Sequence, residues 1–171
     1  SRGSTDGRTN ARCPMAGGKS GCRGRRQESP DGEAVIIRNP KLIRECRSKG
    51  RCDFCAKPCK KREGAHLVSR GAGGSDLKCN LVCLGSSNEP ISVSCRCHSL
   101  SHAGKPPTHQ DLLSIIAKRE KVTEAVIVEV GRFIYKLDKH ASSYAIQEGL
   151  LKLSEAARKI ATRELQDGGK L

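Results

Sequence analysis

Ala65-His66-Leu67-Val68-Ser69-Arg70-Gly71-Ala72-Gly73-Gly74-Ser75-Asp76-Leu77-Lys78-Cys79-Asn80-Leu81-Val82-Cys83-Leu84 is the stretch on which the reading of the fold turns. Two short apolar segments are separated by a glycine-rich loop, a pattern that predicts a β-hairpin with an elongated turn. His66 falls on the first arm and Asn80 opens the second, where a side-chain amide can bond backbone groups across the turn and hold the first arm in place.

Outward from the hairpin, Cys97 to His102 predicts the start of a helix facing it. His98 and His102 are four residues apart, a spacing that puts two imidazoles on one helix face, where both can reach one divalent ion and leave positions open for water or phosphate. A neutral imidazole such as that of His66 can act as a general base, its ordinary pKa being near ~6.5. Upstream, Ala34-Val35-Ile36-Ile37 predicts a short strand broken at Pro40, followed by a helical turn or two through Cys46.

Beyond Pro106-Pro107 the pattern becomes helical. Thr108 with Asp111 predicts a capped helix to about Glu120, Thr123 precedes a second from Glu124 to about Lys139, and Ile146, Leu150, Leu153, Ala157, Ile160 and Ala161 predict a third from Ser143 to about Leu165. Their amphipathic faces suit packing on a small core better than a free interaction arm. Residues 1–33, rich in Gly, Ser and Arg, carry too little apolar surface to offset chain entropy and are expected to be a disordered basic tail. Its Gly17-Gly18-Lys19-Ser20 lacks the strand and the earlier glycine of a phosphate-binding loop. The expected organisation is thus a tail (1–33), a core (34–107) and a helical region (108–171).

The chain carries a net charge of +14, and residues 1–63 hold 17 Lys and Arg against 7 Asp and Glu, so the excess is concentrated toward the N-terminal half. Such a balance favours a polyanionic partner. No run approaches the ~18 apolar residues of a membrane span, and the first 30 residues lack the apolar segment of a secretory signal, which implies a soluble cytoplasmic protein. Ten cysteines, unevenly spaced and mixed with histidines, then favour metal ligation over disulfides. With aromatic residues at 2% and no Trp, the core must be built from Leu, Ile, Val and Ala.

The segments Ala65-His66-Leu67-x-Ser69-Arg70-Gly71-Ala72-Gly73-Gly74-x-Asp76, Asn80-Leu81-Val82 and Cys97-His98-x-x-x-His102-x-Gly104 together resemble the HNH endonucleases of the ββα-metal type common in bacteriophages. The resemblance spans roughly residues 36–120. It implies an α+β fold with a small zinc-stabilised ββα-metal core, located in the cytoplasm of a bacterium or a phage-infected cell. It implies DNA as the partner, hydrolysed at its phosphodiester bonds. It further implies His66 as general base, Asn80 as the residue that steadies the hairpin, and His98 and His102 as ligands of one Mg²⁺, Mn²⁺, Ni²⁺ or Zn²⁺.

Two positions depart from that pattern. Many relatives place Asp or His before the base as a further ligand, where this chain has Ala65, so that either Asp76, water or a substrate phosphate completes the shell, or metal binding is weak. Many also hold a structural zinc with two Cys-x-x-Cys pairs, the second ending just before the motif His; Cys97 keeps that last position, but Gly85 stands where a Leu-Cys dipeptide is expected and residues 86–94 read as an inserted loop. Cys52 and Cys55 still have the spacing of a metal knuckle, joined by Cys97 and either Cys95 or Cys83. Cys46, Cys59, Cys79, Cys13 and Cys22 are then expected to be free thiols.

Arg70 is a candidate phosphate grip, and Lys57, Lys60, Lys61 and Arg62 could follow a nucleic-acid backbone. His109 and His140 are expected on the surface. The alternative to an enzyme is a non-catalytic zinc-binding nucleic-acid-binding module, for which Ala65 and Gly85 are the favouring features.

Overall fold

The computed structural model describes residues 36–137 and 140–171. The expected disordered tail, with Cys13 and Cys22, lies outside the described residues. The protein is a mixed α+β structure with small antiparallel sheets.

Of the strand expected at Ala34-Val35-Ile36-Ile37, Ala34 and Val35 lie outside the described residues, and Ile36 and Ile37 form no strand. Residues 36–39 are irregular and Pro40 opens helix α1, Pro40–Arg47. Proline suits this place because the first helical N–H has no partner to lose, and Asn39 caps the turn by accepting from the Leu42 amide at 3.0 Å. At the other end of α1 the Arg62 guanidinium donates to the carbonyls of Glu45 and Ser48, at 3.3 and 3.0 Å, where a cation complements the helix dipole. Cys46 of α1 is disulfide-bonded to Cys83, so neither is the free thiol or metal ligand the spacing allowed.

A short hairpin follows, β1 (Gly50–Arg51) paired with β2 (Pro58–Cys59), enclosing the Cys52 to Cys55 turn. The expected hairpin is present as β3 (Arg62–His66) and β4 (Leu81–Gly85), antiparallel with His66 opposite Leu81 and Ala65 opposite Val82. Two single 3-10 turns, Arg70–Ala72 and Lys78–Asn80, fill the connection. Gly74 is required there, since a Cβ would lie 1.8 Å from the Val68 carbonyl oxygen. Helix α2, Cys97–His102, packs against both β3 and β4.

The remaining helices are α3 (His109–Glu120), α4 (Glu124–Lys136), α5 (Ser143–Leu151) and α6 (Glu155–Asp167). Thr108 and Asp111 form a reciprocal capping box at α3. The single long helix expected from Ser143 to Leu165 is instead two. At the break Ser154 gives its N–H and hydroxyl to the Glu129 carboxylate at 2.8 and 2.6 Å, and its hydroxyl accepts from the Ala157 amide to start α6. Ile116, Ile127, Val130, Ala157, Ala161 and Leu165 of these helices join Val82 and Leu84 of the hairpin in one aliphatic core. The helices are therefore packed onto the core.

Glu164 of α6 is 1% exposed and its carboxylate accepts the amides of Lys78 and Cys79 at 2.9 and 3.2 Å. It thereby satisfies N–H groups of the 3-10 turn that ends at Asn80. Arg163 balances the buried charge, bridging Glu164 and Glu120 at 2.7 and 2.8 Å. No helix among the described residues is long and apolar enough to cross a membrane.

Candidate catalytic cleft and cysteine centre

Four histidines reach one cleft. His66 from the end of β3, His98 and His102 from α2 and His109 from the start of α3 line a cavity of about 430 Å³, with Arg47 and Arg70 among its walls. His109 is exposed, as expected, and stands at the rim of this cavity.

His66 is oriented by Asp76. Its Nε2 lies 2.9 Å from Asp76 Oδ1, and Arg70 donates to that same oxygen through Nε at 2.9 Å, with Nη2 in ion-pair contact at 2.8 Å. Burial alone would raise the Asp76 carboxyl, but the hydrogen bonds from His66 and Arg70 and their charges together hold it below the usual carboxylate value. An ionised carboxylate only accepts, so the imidazole proton sits on Nε2 and the Nδ1 lone pair remains to take a proton. Burial lowers the His66 pKa below 6.5 despite the opposing pull of Asp76, so the ring is neutral at pH 7. Asp76, 2% exposed and committed to His66 and Arg70, is not turned toward a shared ion.

Asn80 closes the loop that carries this pair. Its Oδ1 accepts from the Val68 amide at 2.7 Å, and its Nδ2 donates to the carbonyls of Val68 and Ser75 at 3.1 and 2.8 Å. Its own carbonyl accepts from Leu67 at 2.9 Å. Both ends of the long connection are thus clasped by one residue, with His66 directly ahead.

His98 has a carboxylate partner the sequence did not reveal, Glu63 of β3. Nδ1 of His98 lies 2.6 Å from Glu63 Oε2, and Glu63 also accepts from the hydroxyls of Ser86 and Ser87 and from the Asn88 amide. Burial alone would raise Glu63, but these donors and the facing imidazole keep it below its ordinary value. Burial likewise lowers His98, against the pull of Glu63. With Nδ1–H directed to Glu63, Nε2 is the nitrogen free to ligate. The His102 ring stands edge-on to that of His98 with centroids 4.6 Å apart. Among the described residues no third ligand-type side chain converges with this pair.

Cys52, Cys55, Cys95 and Cys97 do converge, all their sulfurs lying within 4.8 Å of one another, and can hold a metal ion such as zinc. Zn–S bonds of about 2.3 Å in a tetrahedron put sulfurs roughly 3.8 Å apart, and Cys55 and Cys97 are 3.7 Å apart. The first two cysteines sit on a knuckle in which the Ala56 amide donates to the Cys52 carbonyl at 2.9 Å and Ala56 adopts a φ of 58°. Cys95 and Cys97 converge although one residue separates them, because Arg96 takes a left-handed φ of 55°. Cys95 is the fourth member, Cys83 being bonded to Cys46. Gly85 has a structural reason: a Cβ there would stand 2.4 Å from the Cys95 sulfur.

Burial and the neighbouring sulfurs of Cys95, Cys52 and Cys55 push the Cys97 thiol far up, while amides of Cys55, Gly85 and Phe54 outweigh burial to bring Cys52 down. Such crowding disfavours four thiolates without a cation and suits one with it.

Of the basic residues, Lys60 and Lys61 are exposed. Arg62 differs from expectation. Its guanidinium is engaged with the carbonyls of Glu45, Ser48 and Arg51 rather than directed outward. Arg70 is partly exposed but faces Asp76.

Comparison of the chain with models of protein families, with curated proteins and with solved structures finds no match. The functional reading therefore stands on residues and geometry.

Proposed function

We propose that this protein is a metal-dependent endonuclease of the HNH type, hydrolysing DNA phosphodiester bonds. The observation that carries the reading is that His66, His98 and His102 line one open cleft, with Nε2 of His66 held by Asp76 so that Nδ1 is left to take a proton.

Phosphodiester hydrolysis needs a base, a charge-stabilising electrophile and a means of holding the strand. His66 withdraws a proton from water at Nδ1, and Asp76 stabilises the imidazolium that forms. Asn80 keeps the loop of the base in register. His98 and His102 would hold one Mg²⁺, Mn²⁺, Ni²⁺ or Zn²⁺, with Glu63 fixing the orientation of His98. That ion would supply positive charge to the phosphate and to the departing oxygen. Arg70 and Arg47 line the space where phosphate oxygens would lie. By family resemblance the products carry a 5′-phosphate and a 3′-hydroxyl. A structural Zn²⁺ in the Cys52, Cys55, Cys95, Cys97 set would fasten α2 to the β1–β2 hairpin.

One observation favours a second reading, a non-catalytic zinc-binding nucleic-acid-binding module: Ala65 is a buried methyl beside the base, and among the described residues no third ligand converges with the histidine pair. A plasmid-nicking assay across divalent ions, run beside a metal count by mass spectrometry, separates them. Nicking that depends on added metal supports the enzyme; one zinc per chain with no cleavage under any ion supports the module.

A further inference from the structure

The cleft has a charged lip that the reading of the sequence did not single out. Lys41, Arg44 and Arg47 occur at every third position of α1 and are all exposed. Three-residue spacing makes them neighbours along one ridge, rising about 1.5 Å per residue. Among the described residues none of the three side chains has an ion-pair or hydrogen-bond partner, and Glu45 is the single acid on the helix. The ridge ends at Arg47, which lines the same cavity as His66, His98 and His102.

The helix is also held in place. Asn39 caps it, Arg62 caps its far end, Cys46 joins it to β4 through Cys83, and it packs on β3, the strand that carries His66. Unpaired cations on a fixed element at the lip of a cleft satisfy the requirements of a backbone-tracking surface, since little ordering entropy is lost when a polyanion docks. Lys60 and Lys61, by contrast, do not line the cleft, and Arg62 is engaged internally.

We propose that the Lys41, Arg44, Arg47 ridge of α1 is the surface that seats the phosphate backbone of a nucleic-acid duplex and leads it into the histidine cleft. The proposal rests on the nuclease reading for the identity of the cleft, but it concerns binding and is testable without chemistry. Contacts of this kind are with phosphates and do not read bases.

The test uses the full zinc-loaded chain carrying His66→Ala, without added Mg²⁺, and a fluorescent duplex of 20–30 base pairs whose integrity is checked on a gel. Affinity is measured over a range of salt concentrations. Each phosphate contact contributes about 0.9 to the slope of log affinity against log salt, so Arg44→Ala with Arg47→Ala should make the slope shallower by roughly 2 and weaken binding at least ~10-fold at 0.15 M salt. Arg44→Lys with Arg47→Lys should retain the parent slope, which separates lost charge from damage to α1, and Lys60→Ala with Lys61→Ala should change it less. An unchanged slope in the alanine pair, or no duplex binding by the parent chain, overturns the proposal. Metal-dependent nicking by the protein with native His66 is scored separately, so the ridge can fail while the nuclease reading stands, and the reverse.

Discussion

Asp76 Oδ1 lies 2.9 Å from Nε2 of His66 and simultaneously accepts from Nε of Arg70, whose Nη2 is in ion-pair contact with the same oxygen. One buried oxygen therefore sets the tautomer of the proposed base. Asp76→Asn would offer an amide in its place, leave Arg70 without its charge partner and permit the opposite tautomer. Cleavage should fall about 10–100-fold, the range for losing a partner that orients a functional imidazole, and stability should fall by about 1–3 kcal/mol. Nicking rates and urea unfolding check both. Full activity in the variant would remove the orienting role.

The pH profile follows from the direction of the His66 shift. Burial lowers its pKa below 6.5, so the native ring stays neutral further into acid than the unfolded one. Nicking should rise with pH and level off with a midpoint under 6.5. Below 6.5 the unfolded chain binds a proton the native ring resists, so this group's contribution to stability is complete above 6.5 and declines as pH falls toward the native pKa. Asp76, also lowered from 3.8, adds stability that is present above 3.8 and lost as pH falls through its native value. Nicking and thermal melts between pH 4 and 8 measure both, and a nicking midpoint above 6.5 would exclude His66 as the titrating base.

Glu63 predicts a separation between metal affinity and fold. Glu63→Gln keeps the shape but weakens the acceptor for His98 Nδ1–H, so the apparent affinity for the activating ion should fall about 10–100-fold while the melting temperature changes little. Titrating nicking activity against Mn²⁺ reads the effect. An unchanged activation curve would leave Glu63 with a packing role alone.

Much of this arrangement was legible in residues close in the chain. Thr108 and Asp111 mark the start of α3 through a box three residues long, and the glycine loop between Val68 and Asn80 marks the hairpin. What was not legible depends on distant partners. The apolar stripe of Ile146, Leu150, Leu153 and Ala157 runs through the break between α5 and α6, because the break is made by Glu129, 25 residues before Ser154. Arg62 reads as a surface cation until α1 folds back and offers its carbonyls. Cys46 and Cys83 are 37 residues apart, and only the seating of α1 on the hairpin brings them together. Glu63 precedes the base by three residues, yet its partner arrives on α2.

The cysteine centre predicts metal-dependent folding. Removing the ion with a chelator, or Cys52→Ser, should lower stability by at least ~3 kcal/mol, because a small aliphatic core gains folding free energy directly from ligation. Cys79→Ser, at a buried thiol outside the set, should leave the metal count at one per chain. Circular-dichroism melts with and without zinc, paired with metal analysis, supply the readout. Identical melts for chelated and zinc-loaded protein would contradict a structural ion.

The central claim is that His66 activates water beside an ion held by His98 and His102, and plasmid nicking by His66→Ala in the presence of Mg²⁺ or Mn²⁺ tests it most directly. The predicted result is a loss of about 10²–10⁴-fold in rate, with the fold and duplex binding retained. Nicking by the variant at the rate of the native chain would contradict the claim.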